Sequence, residues 1–236
     1  MVAAGMSASP CIRCGMWLLR PPGVYRPQAD TWLLTQALYD AAIPRSAQVL
    51  DMFTGTGALA VAAARAGAAK ITAMDISIRA TLAARFNTRI RGLPVRVEYG
   101  DALTGLRDRQ FDVVLANPPY VPCPSPTLPR RGPNRAWDAA TDGRALIDPL
   151  CAVVPQILSP GGMLLIVHSA ICGVENTLSL LRQRGLTATV VARQVEPFGP
   201  IMRRRSPLLE YWGLIELGQR HEELVVIRGD QPEPAP

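Results

Sequence analysis

Gln48-Val-Leu-Asp-Met-Phe-Thr-Gly-Thr-Gly57, running on into Ala58-Leu-Ala-Val-Ala-Ala-Ala-Arg-Ala-Gly67, decides the fold. The apolar VLDMF is strand-like, the TGTG that follows lets the chain reverse tightly, and the alanine-rich segment is a helix stopped by Gly67. Strand, turn and helix in that order make the first half of a βαβ unit.

The same alternation continues downstream. Lys70 to Asp75 (KITAMD) is a second strand. Ser77 is placed to cap a helix through about Arg91, closed by Gly92, before a third strand from Val95 (VRVEY). Phe111–Ala116 is a fourth strand, Arg144–Leu158 a helix, Gly162–His168 a fifth strand and Val174–Arg184 a helix. Thr189–Val195 and Glu223–Arg228 complete seven strands. Between them Gly199–Pro207 reads as a Pro- and Arg-rich loop, while Leu208–Leu217 fits a helix or a strand. A crossover helix after each strand implies an α/β fold, a mostly parallel sheet with helices on both faces.

One catalytic domain over residues 21–229 follows, flanked by ends (1–20 and 230–236) that lack periodicity and are expected to be disordered. With 48% hydrophobic and 19% charged residues, the composition is that of a soluble globular protein. The apolar stretch Met163–Val167 is far short of a membrane span, and Arg13 interrupts what would be the core of a signal peptide, so a cytoplasmic location is expected. Five scattered cysteines argue for reduced thiols. Cys11 and Cys14 form a CxxC pair, but no second pair completes four ligands, with His168 and His221 the only histidines, so no metal is expected. A charge of +6 permits an acidic partner such as RNA. Lys70 is the only lysine, however, so the excess arginine looks compositional, and Arg130-Arg131 and Arg203-Arg204-Arg205 read as solvated loops.

In an open α/β sheet, ligands sit beyond the carboxyl ends of the strands. The first strand end carries Asp51 to Gly57, in which Gly55 and Gly57 allow close backbone approach and Thr54 lies in the turn. Asp75, followed by Ile76, ends the second strand, where a carboxylate can accept from both hydroxyls of a ribose. Asp101 and Ala102 follow the third, where an acid can accept from an adenine amino group. A dinucleotide fingerprint needs a third glycine where Ala60 stands, and the Asp51 carboxylate would repel a pyrophosphate. It would attract a ligand with an ammonium and a sulfonium, so S-adenosylmethionine is the expected cofactor.

After the fourth strand comes Asn117-Pro118-Pro119-Tyr120. The prolines fix the backbone so that the Asn117 side chain and the Pro118 carbonyl offer two acceptors for the two hydrogens of one NH2 group. Tyr120 can stack on a flat amide or base. Such an arrangement aims a nitrogen lone pair at an electrophilic methyl, which is catalysis by positioning.

The chain, from about Gly23 to Gly229, resembles the HemK family of protein glutamine methyltransferases, particularly its short eukaryotic and archaeal type. Three stretches carry the likeness: VYRPQADTWLL (Val24 to Leu34), the glycine turn with NPPYVP (Asn117 to Pro122), and RAWDAATDGRALID (Arg135 to Asp148). The resemblance implies a Rossmann-like class I methyltransferase fold. It also implies methyl transfer to the side-chain amide of a glutamine in the GGQ loop of a translation release factor. It would put Asp30, Thr31, Asp51, Thr54, Gly55, Gly57, Asp75, Ile76, Asp101, Ala102 and Asn117 around the cofactor. Asn117, Pro118, Pro119 and Tyr120 would hold the substrate, with Trp137 at its mouth. Phe53 stands where the family commonly has glycine. In the short type a small zinc-binding subunit assists folding and activity, and some members methylate lysine. Two other classes are compatible with these residues: methylation of an adenine or guanine amino group in nucleic acid, and a cofactor-binding factor without activity.

Overall fold

The protein is described by a computed structural model over residues 16–106, 109–129 and 132–233. The element order is α1 (Ala29–Asp40), β1 (Gln48–Met52), α2 (Ala58–Arg65), β2 (Lys70–Asp75), α3 (Ile78–Arg89), β3 (Val95–Tyr99), β4 (Phe111–Ala116), α4 (Ile147–Ile157), β5 (Leu158–Ser169), α5 (Val174–Gln183), β6 (Thr187–Pro197), α6 (Pro200–Tyr211) and β7 (His221–Asp230). One seven-stranded sheet results, ordered β3-β2-β1-β4-β5-β7-β6. The first five strands pair in parallel, while β7 pairs antiparallel with β5 and with β6.

Alternation along the strands sorts the core into two layers, since successive side chains point to opposite faces. Val49, Val113, Leu115, Leu165 and Val167 face one cluster with Leu34 and Leu38 of α1 and Leu59 of α2. Leu50, Val114, Leu164 and Ile166 face the other, with Ile147, Leu150 and Val154 of α4 and Leu178 and Leu181 of α5. Helices therefore cover both faces, as parallel strands require. No described helix is long and apolar enough to cross a membrane.

The structure corrects the sequence reading in three places. Gly199–Pro207 is not a loop: Pro200 opens α6, because proline's missing N–H costs nothing at the first helical position. Met202 and Leu209 then bury one side of that helix with Phe198 and Ile215, which offsets the ladder bond lost at Pro207. Arg205, assigned above to a solvated loop, is half-buried on α6 and pairs with Asp138 at 2.6 Å. No helix follows β3: residues 100–106 form turns in which the Leu103 amide donates to Asp101 Oδ1 at 2.9 Å. α1, absent from the reading above, lies on the sheet before β1. The Cys11–Cys14 pair and most of the expected disordered ends fall outside the described residues.

Candidate active site

The strand order reverses between β1 and β4, and a cleft of about 900 Å³ opens at their carboxyl ends. Its wall includes Asp30, Thr31, Thr54, Gly55, Asp75, Ile76, Asp101, Asn117, Pro118, Pro119, Tyr120 and Trp137. Segments separated by more than a hundred residues thus meet at one place.

Asp51, Gly57 and Ala102 are not on that wall. Asp51 is fully buried; its Oδ2 accepts from the Thr54 hydroxyl at 2.5 Å and the Ala60 amide at 3.0 Å, and its Oδ1 has no partner among the described residues. Burial pushes it up to about 7, against the pull of those two donors. Its role in the geometry is to tie the glycine turn to the start of α2. Gly57 caps α2 at φ 82, where a Cβ would meet Ala84 at 3.2 Å, so its glycine serves helix packing. Ala102 is a core residue.

Over Gly55 the space is open: an added Cβ would meet only the Phe53 carbonyl, at 3.9 Å. Phe53 itself adopts φ 59, the left-handed conformation that glycine takes without strain, and its ring packs on the core. The Gly55 amide donates to Asp75 Oδ2 at 2.9 Å and the Ser77 amide to Oδ1 at 2.8 Å. Burial raises the Asp75 carboxyl, opposed by these amides and by Arg135 across the cleft. Each carboxylate oxygen keeps a lone pair for a diol. Together, the open ground above Gly55, the Asp75 carboxylate and the apolar Ile76 and Leu103 can take a nucleoside carrying a cationic tail.

On the opposite wall one helix start organises the Asn-Pro-Pro-Tyr segment. Asp30, in the first turn of α1 and almost wholly buried, accepts on Oδ2 from the Tyr120 hydroxyl at 3.1 Å and the Tyr25 hydroxyl at 2.7 Å. On Oδ1 it accepts from the Thr31 amide at 2.6 Å and the Thr31 hydroxyl at 3.1 Å. The Thr31 hydroxyl, its one hydrogen spent on Asp30, accepts from Asn117 Nδ2 at 3.4 Å. Burial and the neighbouring Asp30 raise the Tyr25 and Tyr120 phenols well above their ordinary value, so both remain donors. Glu222 of β7, half-buried beside this group with its Oε2 buried and unpartnered among the described residues, is pushed up to about 7 by desolvation despite a hydrogen bond with Ser169.

The stretch Arg135–Asp148 supports the same segment from below. Val121 N donates to Trp137 O at 2.8 Å, Ala139 N to Val121 O at 3.0 Å and Cys123 N to Ala140 O at 2.7 Å, a short ladder between the two motifs. Gly143, at φ 76, lies so close to Tyr120 that a Cβ would sit 2.4 Å from the Tyr120 carbonyl. The Cys172 thiol donates to that carbonyl at 3.1 Å. Buried Arg144 donates to the Cys172 and Gly173 carbonyls and to Thr177 and Asp148, fixing the floor. Tyr25, Gly143, Arg144 and Arg205 are site-building residues to which the sequence reading gave no role in the site. Tyr25, Gly143 and Arg144 stand in two of the resembling stretches, Tyr25 five residues before Asp30 and Gly143 and Arg144 after Trp137, whereas Arg205 lies outside all of them.

Residues 15–123 match the family model described as methyltransferase small domain. A Methanocaldococcus jannaschii protein with the provisional name protein N5-glutamine methyltransferase is 31% identical over 188 residues, covering 80% of this chain and 93% of the relative. Human methyltransferase HEMK2 is 29% identical, covering 70% of this chain and 81% of that protein. The release factor glutamine methyltransferase of Deinococcus radiodurans is 38% identical over 61% of this chain, which spans 52% of that protein. Among solved structures, the E. cuniculi Mtq2-Trm112 complex, described as responsible for methylation of the eRF1 termination factor, superposes with a TM-score of 0.61 at 23% identity, over 89% of this chain and 99% of that one. That likeness carries the class I methyltransferase fold. Identity sustained along almost the whole length of the archaeal relative, on this fold, shows that the chain belongs to the HemK-type family of protein N5-glutamine methyltransferases.

Proposed function

We propose that this methyltransferase uses S-adenosylmethionine to methylate the side-chain amide nitrogen of a glutamine in a translation release factor. The observation that carries the reading is the Asn117 amide: Thr31 holds its Nδ2 end, so its oxygen is the end left for a substrate. With the Pro118 carbonyl it supplies acceptors for both hydrogens of a planar NH2, while Tyr120 borders the same space. A primary amide nitrogen is a weak nucleophile, and fixing both hydrogens aims its lone pair without a strong base. The names of the Methanocaldococcus and Deinococcus relatives, and the description of the E. cuniculi complex, support the acceptor class.

The residues on the cleft wall fit the cofactor. Asp75 would accept from the ribose hydroxyls, Asp101 from the adenine amino group, with Ile76 against the base, and Thr54 and Gly55 would border the methionyl end. When bound, the cofactor supplies an electrophilic methyl on a sulfonium. Three wall carboxylates, Asp30, Asp75 and Asp101, suit that positive charge better than a pyrophosphate.

A small activating subunit fits the edge of the sheet formed by α3 and β3, next to the cleft. Ile78, Leu82 and Phe86 of α3 and its capping residue Ile90 recur every four residues and are 43 to 60% exposed, beside the edge strand β3 and the exposed Tyr99. We place the enzyme in the cytoplasm with its ribosomal cycle substrate, in keeping with free thiols at Cys123, Cys151 and Cys172.

Incubation with methyl-labelled S-adenosylmethionine and either a release factor or ribosomal RNA tests the reading. Label in the release factor is expected. Label in RNA alone would refute the acceptor assignment.

A further inference from the structure

The acceptor geometry at Asn117 and Tyr120 depends on a residue outside the motif. Tyr25 lies in the segment before α1, and its phenol oxygen accepts from Gln28 Nε2 at 3.1 Å. That leaves its single hydrogen for Asp30 Oδ2, at 2.7 Å. The same carboxylate oxygen accepts the Tyr120 hydrogen from the other side, at 3.1 Å. Two phenols therefore share one acceptor, and a displaced Asp30 carries Tyr120 with it. The other oxygen of Asp30 fixes Thr31, which in turn holds the Asn117 amide. A directed chain results: Gln28 to Tyr25, Tyr25 and Tyr120 to Asp30, Thr31 to Asp30, and Asn117 to Thr31.

Asp30 needs such neighbours. Burying a carboxylate is costly unless every lone pair meets a donor, and four protein donors satisfy this one. The Tyr25 hydroxyl is the shortest of the donors that come from outside α1.

We propose that Tyr25 is a positioning residue for methyl transfer, acting through the shared Asp30 oxygen to hold the Tyr120 ring and, by way of Thr31, the Asn117 amide in the orientation the substrate nitrogen meets. This rests on the reading of Asn117 and Tyr120 as the substrate clamp. It does not depend on the acceptor being glutamine.

The test combines a double-mutant cycle with a spectroscopic readout. Tyr25→Phe, Tyr120→Phe and the pair are compared for kcat and KM, using whichever acceptor the wild type methylates, and for thermal stability. In parallel the ring signals of carbon-13-labelled Tyr120 and the side-chain amide signals of Asn117 are followed by NMR in wild type and Tyr25→Phe. The expected result is an about ten-fold lower kcat in Tyr25→Phe, with KM for the acceptor little changed and the Tyr120 and Asn117 signals shifted. In the Tyr120→Phe background, Tyr25→Phe should cost less, because only the branch through Thr31 to Asn117 is left for it to hold. Losses that multiply independently, or Tyr120 and Asn117 signals identical to wild type, would overturn the proposal. A wrong acceptor assignment appears instead as label on a different substrate. Should no acceptor be methylated, the NMR comparison alone decides.

Discussion

Asn117 Nδ2 lies 3.4 Å from the Thr31 hydroxyl, and this relationship decides which end of the amide faces the cleft. Because Thr31 gives its hydrogen to Asp30, it can only accept from Asn117, so the amide cannot flip without losing a bond.

Thr31→Val keeps the shape and deletes the acceptor. Turnover is expected to fall about ten-fold, with cofactor affinity nearly unchanged, and Thr31→Ser should restore most of it. Steady-state kinetics beside calorimetry with S-adenosylmethionine checks this.

Asn117→Ala removes one of the two acceptors altogether. By analogy with the loss of one preorganised polar group, kcat should drop about 10²-fold or more while the cofactor still binds. The complementary variant, Asp75→Ala, should weaken cofactor binding in the same calorimeter.

Gly143→Ala places a Cβ 2.4 Å from the Tyr120 carbonyl at a backbone angle that favours glycine. The backbone on one side must move, so a stability loss of about 1–3 kcal/mol and a larger loss of turnover are expected. Denaturant melts and initial rates separate the two effects.

Arg205 of α6 bonds Asp138 at 2.6 Å and the Pro122 carbonyl at 2.9 Å, joining the last helix to both motifs around the clamp. Arg205→Ala leaves the buried Asp138 without its cation, and a destabilisation of about 2–4 kcal/mol is expected. Asp138→Asn should cost less, since the amide oxygen still accepts; thermal melts of the two variants compare them.

Stability should also depend on pH through Glu222. Burial raises it from 4.5 to about 7, so between those values the folded chain holds a proton that the unfolded chain has released. Stability is then highest at the acid end of that window and falls as pH rises through it. Glu222→Gln should raise Tm at about pH 8 and leave it nearly unchanged at about pH 4. Buried Asp51, at about 7, adds a slope of the same sign in both proteins.

The first βα unit was legible because VLDMF, the glycine turn and the alanine-rich stretch each agree with their neighbours in local preference. Covering of both sheet faces followed from the alternation of strands and helices. Helix α6 was not legible, because Pro200, Pro207 and three arginines look like a loop until Phe198 and Ile215 supply a partner for its apolar side. Side-chain partners were also beyond the sequence: at Asp51 one carboxylate oxygen accepts from the Thr54 hydroxyl and the Ala60 amide, while the other has no partner among the described residues. The bond from Tyr120 to Asp30 joins positions 90 residues apart, a distance at which local patterns carry no information.

Tandem mass spectrometry of a release factor incubated with S-adenosylmethionine and this enzyme, wild type or Asn117→Ala, addresses the methyl acceptor directly. The expected result is one added methyl on a glutamine side-chain nitrogen with wild type and almost none with Asn117→Ala. A methyl found on lysine, or a yield that Asn117→Ala leaves untouched, would contradict it.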